Sequence, residues 1–163
     1  DGTGTARTAI TRTFTVVDST IVSGTTYRLL NQCGNKALDV SNASMDNGGN
    51  VVTWTWTGTT NQRWKIETTS TGYYKITAQH STKVLDVYNA SNSDGADVIQ
   101  WSWANGTNQE WSITHTGNGY YKLLAKHSGK ALDVSGASTS DGANVHQWVD
   151  NGTCAQRWKI ETF

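Results

Sequence analysis

Proline is absent from the whole chain, so no proline-rich spacer marks a domain boundary. Charge is scarce and balanced: charged residues are 16% of the sequence, and 13 Lys and Arg offset 13 Asp and Glu. With no basic face implied, nucleic acid is a poor partner. No run approaches the roughly 18 apolar residues that a spanning helix needs, so no membrane insertion is expected. Cysteine is limited to Cys33 and Cys154. A bridge between them would close a long loop, but two cysteines alone do not decide between a disulfide and two thiols. There is no signal peptide, and the first residue is Asp1 rather than Met, so the chain reads as a processed protein or an excised fragment.

What the sequence has instead is Thr, Ser, Asn, Gln, 16 Gly and eight Trp. Thr suits strands, and Gly and Asn suit tight turns, so this is the composition of a turn-rich all-β chain. Eight indoles exceed what a small core uses as filler, because each buried N–H needs an acceptor. Some of them are expected at the surface.

One phrase recurs. "TNQRWKIE" begins at Thr60, "TNQEWSIT" at Thr107 and "CAQRWKIE" at Cys154, a step of 47 residues. Tyr27, Tyr74 and Tyr121 share this period, as do Lys36, Lys83 and Lys130. So do the three "LDV" runs at Leu38, Leu85 and Leu132, and Trp54, Trp101 and Trp148. No insertion or deletion separates these anchors. Each copy reads as four short strands, in the second copy "YYKITAQ", "KVLDVYN", "DVIQWSW" and "QEWSIT". Asn47-Gly48, Asp94-Gly95 and Asp141-Gly142 supply a turn signal between the second and third strands of each copy. Three equal copies suit a closed three-fold object better than an open solenoid, which needs caps. Twelve strands in three units point to an all-β β-trefoil with pseudo-three-fold symmetry. Its repeats run at about 25–70, 71–117 and 118–163. Residues 1–24 lie outside the period. "TRTFTVV" alternates like a strand, so this segment reads as an N-terminal strand or the tail of an upstream domain.

With LDV, a downstream Trp and then Q-x-W three times over, residues 25–163 resemble the ricin-B-like lectin domain. This is the β-trefoil family of plant toxins, clostridial haemagglutinins and sugar-binding modules of bacterial glycosidases. A single Q-x-W is a weak signal; three at constant spacing, each with its own LDV, are a strong one. The resemblance implies binding of mono-, oligo- or polysaccharide by a secreted, extracellular protein that reads as a monomer, with no cofactor or metal.

The residue types also fit on physical grounds. A pyranose has an apolar C–H face, which wants a flat aromatic platform, and a rim of hydroxyls, which want a charged acceptor and an amide. An Asp set between Leu and Val interrupts an apolar strand, and three in register favour a ligand role. The first set is Asp39, Trp54, Asn61 and Gln62. The second is Asp86, Trp101, Asn108 and Gln109, with Tyr88 two residues after the Asp, where some relatives add an aromatic wall. The third keeps Asp133, His146 and Trp148 but has Ala155 in place of the amide, so its pocket is expected to be weakened or altered. The platform lies seven residues before the Asn, as in the family. The polar residue that many relatives carry two before the platform is Val52, Ile99 and His146 here, a departure in the first two copies. Gln62, Gln109 and Gln156 are expected to hold the loop, and Trp64, Trp111 and Trp158 to be core. Trp56 and Trp103, replaced by Asp150 in the third copy, either extend the platform or cover the hairpin.

Three functions compete. A carbohydrate-binding module for galactose-type or plant-wall glycans (galactan, arabinan, xylan), directing an attached glycoside hydrolase, uses every repeated residue. A free-standing haemagglutinin-type lectin uses the same ones. A protein-binding trefoil has no reason to repeat Asp, Trp and Asn in register. Catalysis by the chain itself is not expected. A glycosidase needs two carboxylates across one cleft, the four His show no metal spacing, and there is no nucleophile elbow.

Overall fold

The computed structural model describes residues 21–163, so the strand expected at "TRTFTVV" lies outside the described residues. The first repeat folds as β1 (Thr25–Asn31), β2 (Ala37–Val40), β3 (Gly49–Trp54) and β4 (Trp64–Thr68). The second gives β5 (Tyr74–Ala78), β6 (Val84–Val87), β7 (Val98–Trp101) and β8 (Trp111–Gly117). The third gives β9 (Tyr120–Ala125), β10 (Ala131–Val134), β11 (Ala143–Trp148) and β12 (Trp158–Glu161). Among the described residues the only helical pieces are six single 3₁₀ turns. Each repeat has two in a fixed pattern, one directly after LDV and one directly before the Q-x-W Trp.

Six strands close a ring. β1 pairs with β4, β4 with β5, β5 with β8, β8 with β9, β9 with β12, and β12 returns to β1. The other six form three hairpins, β2–β3, β6–β7 and β10–β11, that also pair with one another. This is the β-trefoil. Its core is layered by repeat equivalents: Leu38, Leu85 and Leu132, then Val40, Val87 and Val134, then Trp64, Trp111 and Trp158, all without solvent exposure. The core indoles do more than fill space. Trp64 Nε1–H donates to the Leu38 carbonyl at 2.9 Å, Trp111 to Leu85 at 3.1 Å and Trp158 to Leu132 at 3.0 Å. Each bond ties a barrel strand to the hairpin of the same repeat.

The seams between repeats are not equivalent. At the second-to-first seam, Gln100 Nε2 donates to the carbonyls of Ser44 and Asp46, while its Oε1 accepts from Ser81, and His80 Nε2 lies 2.9 Å from the Ser44 carbonyl. Gln147, Ser128 and His127 repeat this clamp on Ser91 and Ser93. At the first-to-third seam the corresponding positions are Thr53, Gly34 and Cys33. The Thr53 hydroxyl is buried with no partner among the described residues. Gly34 lies so close to Thr139 that an added Cβ would come within 3.0 Å of the Thr139 Cα. The seam is held instead by a Cys33–Cys154 disulfide, 121 residues apart in sequence, and by Asn31, whose Nδ2 donates to the Ala155 carbonyl at 2.9 Å.

Two stability measurements check this account. A cross-link over so long a loop removes much unfolded-state entropy, so replacing both Cys33 and Cys154 with Ser is expected to cost about 2–4 kcal/mol in urea unfolding. Trp111→Ala deletes a core indole and leaves the Leu85 carbonyl without its donor. It is expected to cost about 3–5 kcal/mol and to lower the melting temperature.

Candidate functional site

Each repeat carries one shallow cleft, built by the same steps. Hairpin pairing sets Asp39 opposite Val52, Asp86 opposite Ile99 and Asp133 opposite His146. The platform Trp follows two residues later, at the strand end. The Asp side chains are almost fully buried, whereas Trp54, Trp101 and Trp148 are 45%, 39% and 38% exposed. An indole that bare, beside a buried carboxylate, is the opposite of ordinary side-chain partition.

The first cleft, of about 290 Å³, gathers Asp39, Trp54, Asn61 and Gln62. The second, of about 240 Å³, gathers Asp86, Tyr88, Trp101, Asn108 and Gln109. The third, of about 460 Å³, gathers Asp133, His146 and Trp148, with Ala155 at its floor. Every residue assigned to one of the three sugar-binding sets in the sequence lines the cleft of its own repeat. Apart from Tyr88, the sequence reading missed the turn after LDV, which lines each cleft as Ser41-Asn42-Ala43, Tyr88-Asn89-Ala90 and Ser135-Gly136-Ala137. Asn42, Asn89 and Gly136 take φ of 55°, 53° and 61°, and Ala43, Ala90 and Ala137 take 48°, 48° and 51°. Alanine in this region costs about 1–2 kcal/mol, and such strain concentrates at functional sites. The signal available was the x-[Asn/Gly]-Ala that follows every LDV.

The amides have distinct tasks. The Gln of Q-x-W holds the loop after the platform. Gln109 Oε1 accepts from the Ala104 N–H and its Nε2 donates to the Ser102 carbonyl, a pattern repeated by Gln62 and Gln156. In the second cleft the same Nε2 also reaches Asp86 Oδ2 at 2.7 Å, and Asn108 Nδ2 donates to Asp86 Oδ1 at 3.0 Å. Both carboxylate oxygens are thus aimed by amides. In the third cleft Ala155 offers no amide. His146 Nε2 takes that place at 2.9 Å from Asp133 Oδ1, and its ring stacks on Trp148 with centroids 5.5 Å apart.

Burial raises the pKa of Asp39, an effect opposed by the neighbouring Gln62 and Asn61 amides. Burial pushes Asp86 further, to about 6, against the lowering effect of Gln109 and Asn108. Trp56 and Trp103 line none of the clefts. Trp56 packs on Phe163 and lies under Arg28, and Trp103 lies under Lys75. In the third repeat Lys122 instead pairs with Asp150 at 2.6 Å. These aromatics belong to the outer barrel surface rather than to the platform. No cleft is lined by a second carboxylate among the described residues.

The chain belongs to the ricin-type β-trefoil lectin family. The family model, described as "Ricin-type beta-trefoil lectin domain-like", matches residues 12–101 and 107–163. Among solved structures, the designed three-fold symmetric protein ThreeFoil is 51% identical, with a TM-score of 0.83 over 85% of this chain and 99% of that one. The exo-β-1,3-galactanase 1,3Gal43A of Clostridium thermocellum is 40% identical, with a TM-score of 0.84 over 88% of this chain, which spans only 31% of the enzyme. The Macrolepiota procera ricin B-like lectin, solved with lactose, shares the fold at 20% identity and a TM-score of 0.77, covering 89% of this chain and 100% of that one. Among curated protein sequences none matches the chain.

The second cleft makes a titration prediction. The folded chain holds the Asp86 proton more tightly than the unfolded chain, where ionisation falls near the ordinary 3.8. Its contribution to stability is therefore full below that value and is lost as pH rises through about 6. Carboxyl-carbon NMR should place the Asp86 midpoint near 6. Asn108→Ala removes a donor to the charged form, so it should move the midpoint higher.

Proposed function

We propose that this protein is a non-catalytic carbohydrate-binding module for galactose-type glycans, secreted and multivalent. The observation that carries the reading is the threefold pairing of a half-exposed indole with a buried carboxylate, which in the second cleft is aimed by two amides. The indole takes the C–H face of a pyranose, and the carboxylate accepts hydrogen bonds from its hydroxyls. Lactose in the Macrolepiota lectin and galactan in the Clostridium enzyme support the galactose class. Alignment to about a third of that enzyme supports attachment to a polysaccharide-degrading partner. The disulfide supports an oxidising, extracellular compartment. A lone carboxylate in each cleft supports binding without hydrolysis.

The second cleft is the primary site. Asn108 and Gln109 bond one to each Asp86 oxygen, and an exposed Tyr88 lines the cleft beside the platform. The third is altered, because it has Ala155 where the others have an Asn amide and the His146 ring bonds Asp133 instead. Each cleft is shallow, so single-site affinity is expected to be about millimolar to high micromolar, with gain on polymers through avidity.

Calorimetry with lactose and with β-1,3-linked galactose oligosaccharides tests the reading. Asp86→Ala should weaken binding most, Asp39→Ala less and Asp133→Ala least. The cost is about 1–3 kcal/mol at the affected site, from a hydroxyl left without its acceptor. Affinity at the second cleft should also fall as pH drops below about 6, where the carboxylate takes up its proton. Absence of heat with every galactose-containing ligand, or release of reducing sugar by the purified chain, would overturn it.

A further inference from the structure

We infer that each cleft is completed by the preceding repeat around the ring: the Asx-Gly hairpin tip of one copy positions the platform indole of the next. Asn47 is thus a positioning residue for the second cleft, Asp94 for the third and Asp141 for the first.

The geometry is the same three times. On the N-terminal side of Trp101, Gly48 N–H donates to the Gln100 carbonyl at 2.9 Å. On the C-terminal side, Asn47 Oδ1 accepts from the Ser102 N–H at 2.9 Å and from its hydroxyl at 3.0 Å. Trp148 is held between Gly95 N–H on the Gln147 carbonyl, 2.8 Å, and Asp94 Oδ1 on the Val149 N–H, 3.0 Å. Trp54 is held between Gly142 N–H on the Thr53 carbonyl, 2.8 Å, and Asp141 Oδ1 on the Thr55 N–H, 2.7 Å. The turn glycine also backs the ring. A Cβ on Gly48 would sit 3.8 Å from Cζ3 of Trp101, and one on Gly95 or Gly142 would sit 3.6 Å from Cζ3 of Trp148 or Trp54. These glycines have φ of 86°, 80° and 81°, so a side chain there is disfavoured by the backbone as well.

The pattern accounts for the lysine repeated every 47 residues. Lys36 pairs with Asp141 at 2.8 Å and Lys130 with Asp94 at 2.6 Å, each bracing the neighbour's hairpin. Lys83 meets an uncharged Asn47 instead, and its Nζ reaches the Ser102 hydroxyl at 3.4 Å. A surface indole that must present one face to a ligand loses affinity if its rotamer is left free, because binding then bears the cost of ordering it. The hairpin tip removes that freedom in advance.

The inference rests on the clefts being sugar sites, and its test separates the two. In the full chain, lactose is titrated while the indole N–H resonances of Trp54, Trp101 and Trp148 are followed. The heteronuclear relaxation of each indole is measured without sugar. Asn47→Ala is expected to mobilise the Trp101 indole and to weaken binding read at Trp101 about threefold to tenfold, the worth of one hydrogen bond, leaving Trp54 unchanged. Asp94→Ala is expected to act on Trp148 and spare Trp101, although Asp94 and Trp101 belong to the same repeat. Asn47→Asp, which meets Lys83 as Asp141 meets Lys36, should restore wild-type behaviour. Effects confined to the mutated residue's own repeat, equal effects on all three indoles, or an unmoved Trp101 in Asn47→Ala would overturn the inference. If the wild type binds no lactose, the sugar reading falls, while indole relaxation still decides this one.

Discussion

The bond from each core indole to a leucine carbonyl is the constraint on which both barrel and clefts depend. It spans 26 residues and joins the strand that begins each Q-x-W run to the LDV strand of the same repeat. Once the Trp111 N–H is fixed on Leu85, the residue after that leucine is Asp86, and the residues two and three before that tryptophan are Gln109 and Asn108. The carboxylate and its amides are brought together by a bond that is itself buried in the core. A large hydrophobe that also directs a polar group resolves two demands at once, since a buried indole N–H needs an acceptor in any case.

Against this repeated frame, the departures from symmetry carry information. Two seams are closed by a buried Gln, with a Ser and a His, on a neighbouring turn, and the third by a covalent bridge and Asn31. That third seam lies where the first and last strands of the ring, β1 and β12, pair. Similarly, loss of the amide at Ala155 coincides with gain of His146 across the hairpin from Asp133. The acceptor keeps a hydrogen-bonding neighbour in every copy, but the third cleft presents a ring where the others present an amide.

Much of this was legible in the sequence because the period is constant. The 47-residue step fixed the strand count, the three-fold closure and the sets of Asp, Trp, Asn and Gln, and it assigned the Q-x-W indoles to the core. What escaped had physical causes. The left-handed turn at Ala43, Ala90 and Ala137 is hidden because alanine does not advertise a positive φ. The disulfide could not be decided from two cysteines so far apart in sequence, since its geometry exists only after the barrel closes. Trp56 and Trp103 follow the platform at the strand period of two, yet Arg28 with Phe163, and Lys75, draw them to the outer surface. The role of Asp94 and Asp141 was seen only as a turn, because the strand end they cap belongs to a different repeat.

The closed ring has a consequence for a protein that displays bare indoles. Each barrel strand is bonded on both sides, and the hairpins are bonded to one another. Among the described residues the barrel therefore has no edge strand, the feature that templates edge-to-edge aggregation. Aromatic surface that would be a hazard beside an open sheet edge can be carried at three places on a sealed one.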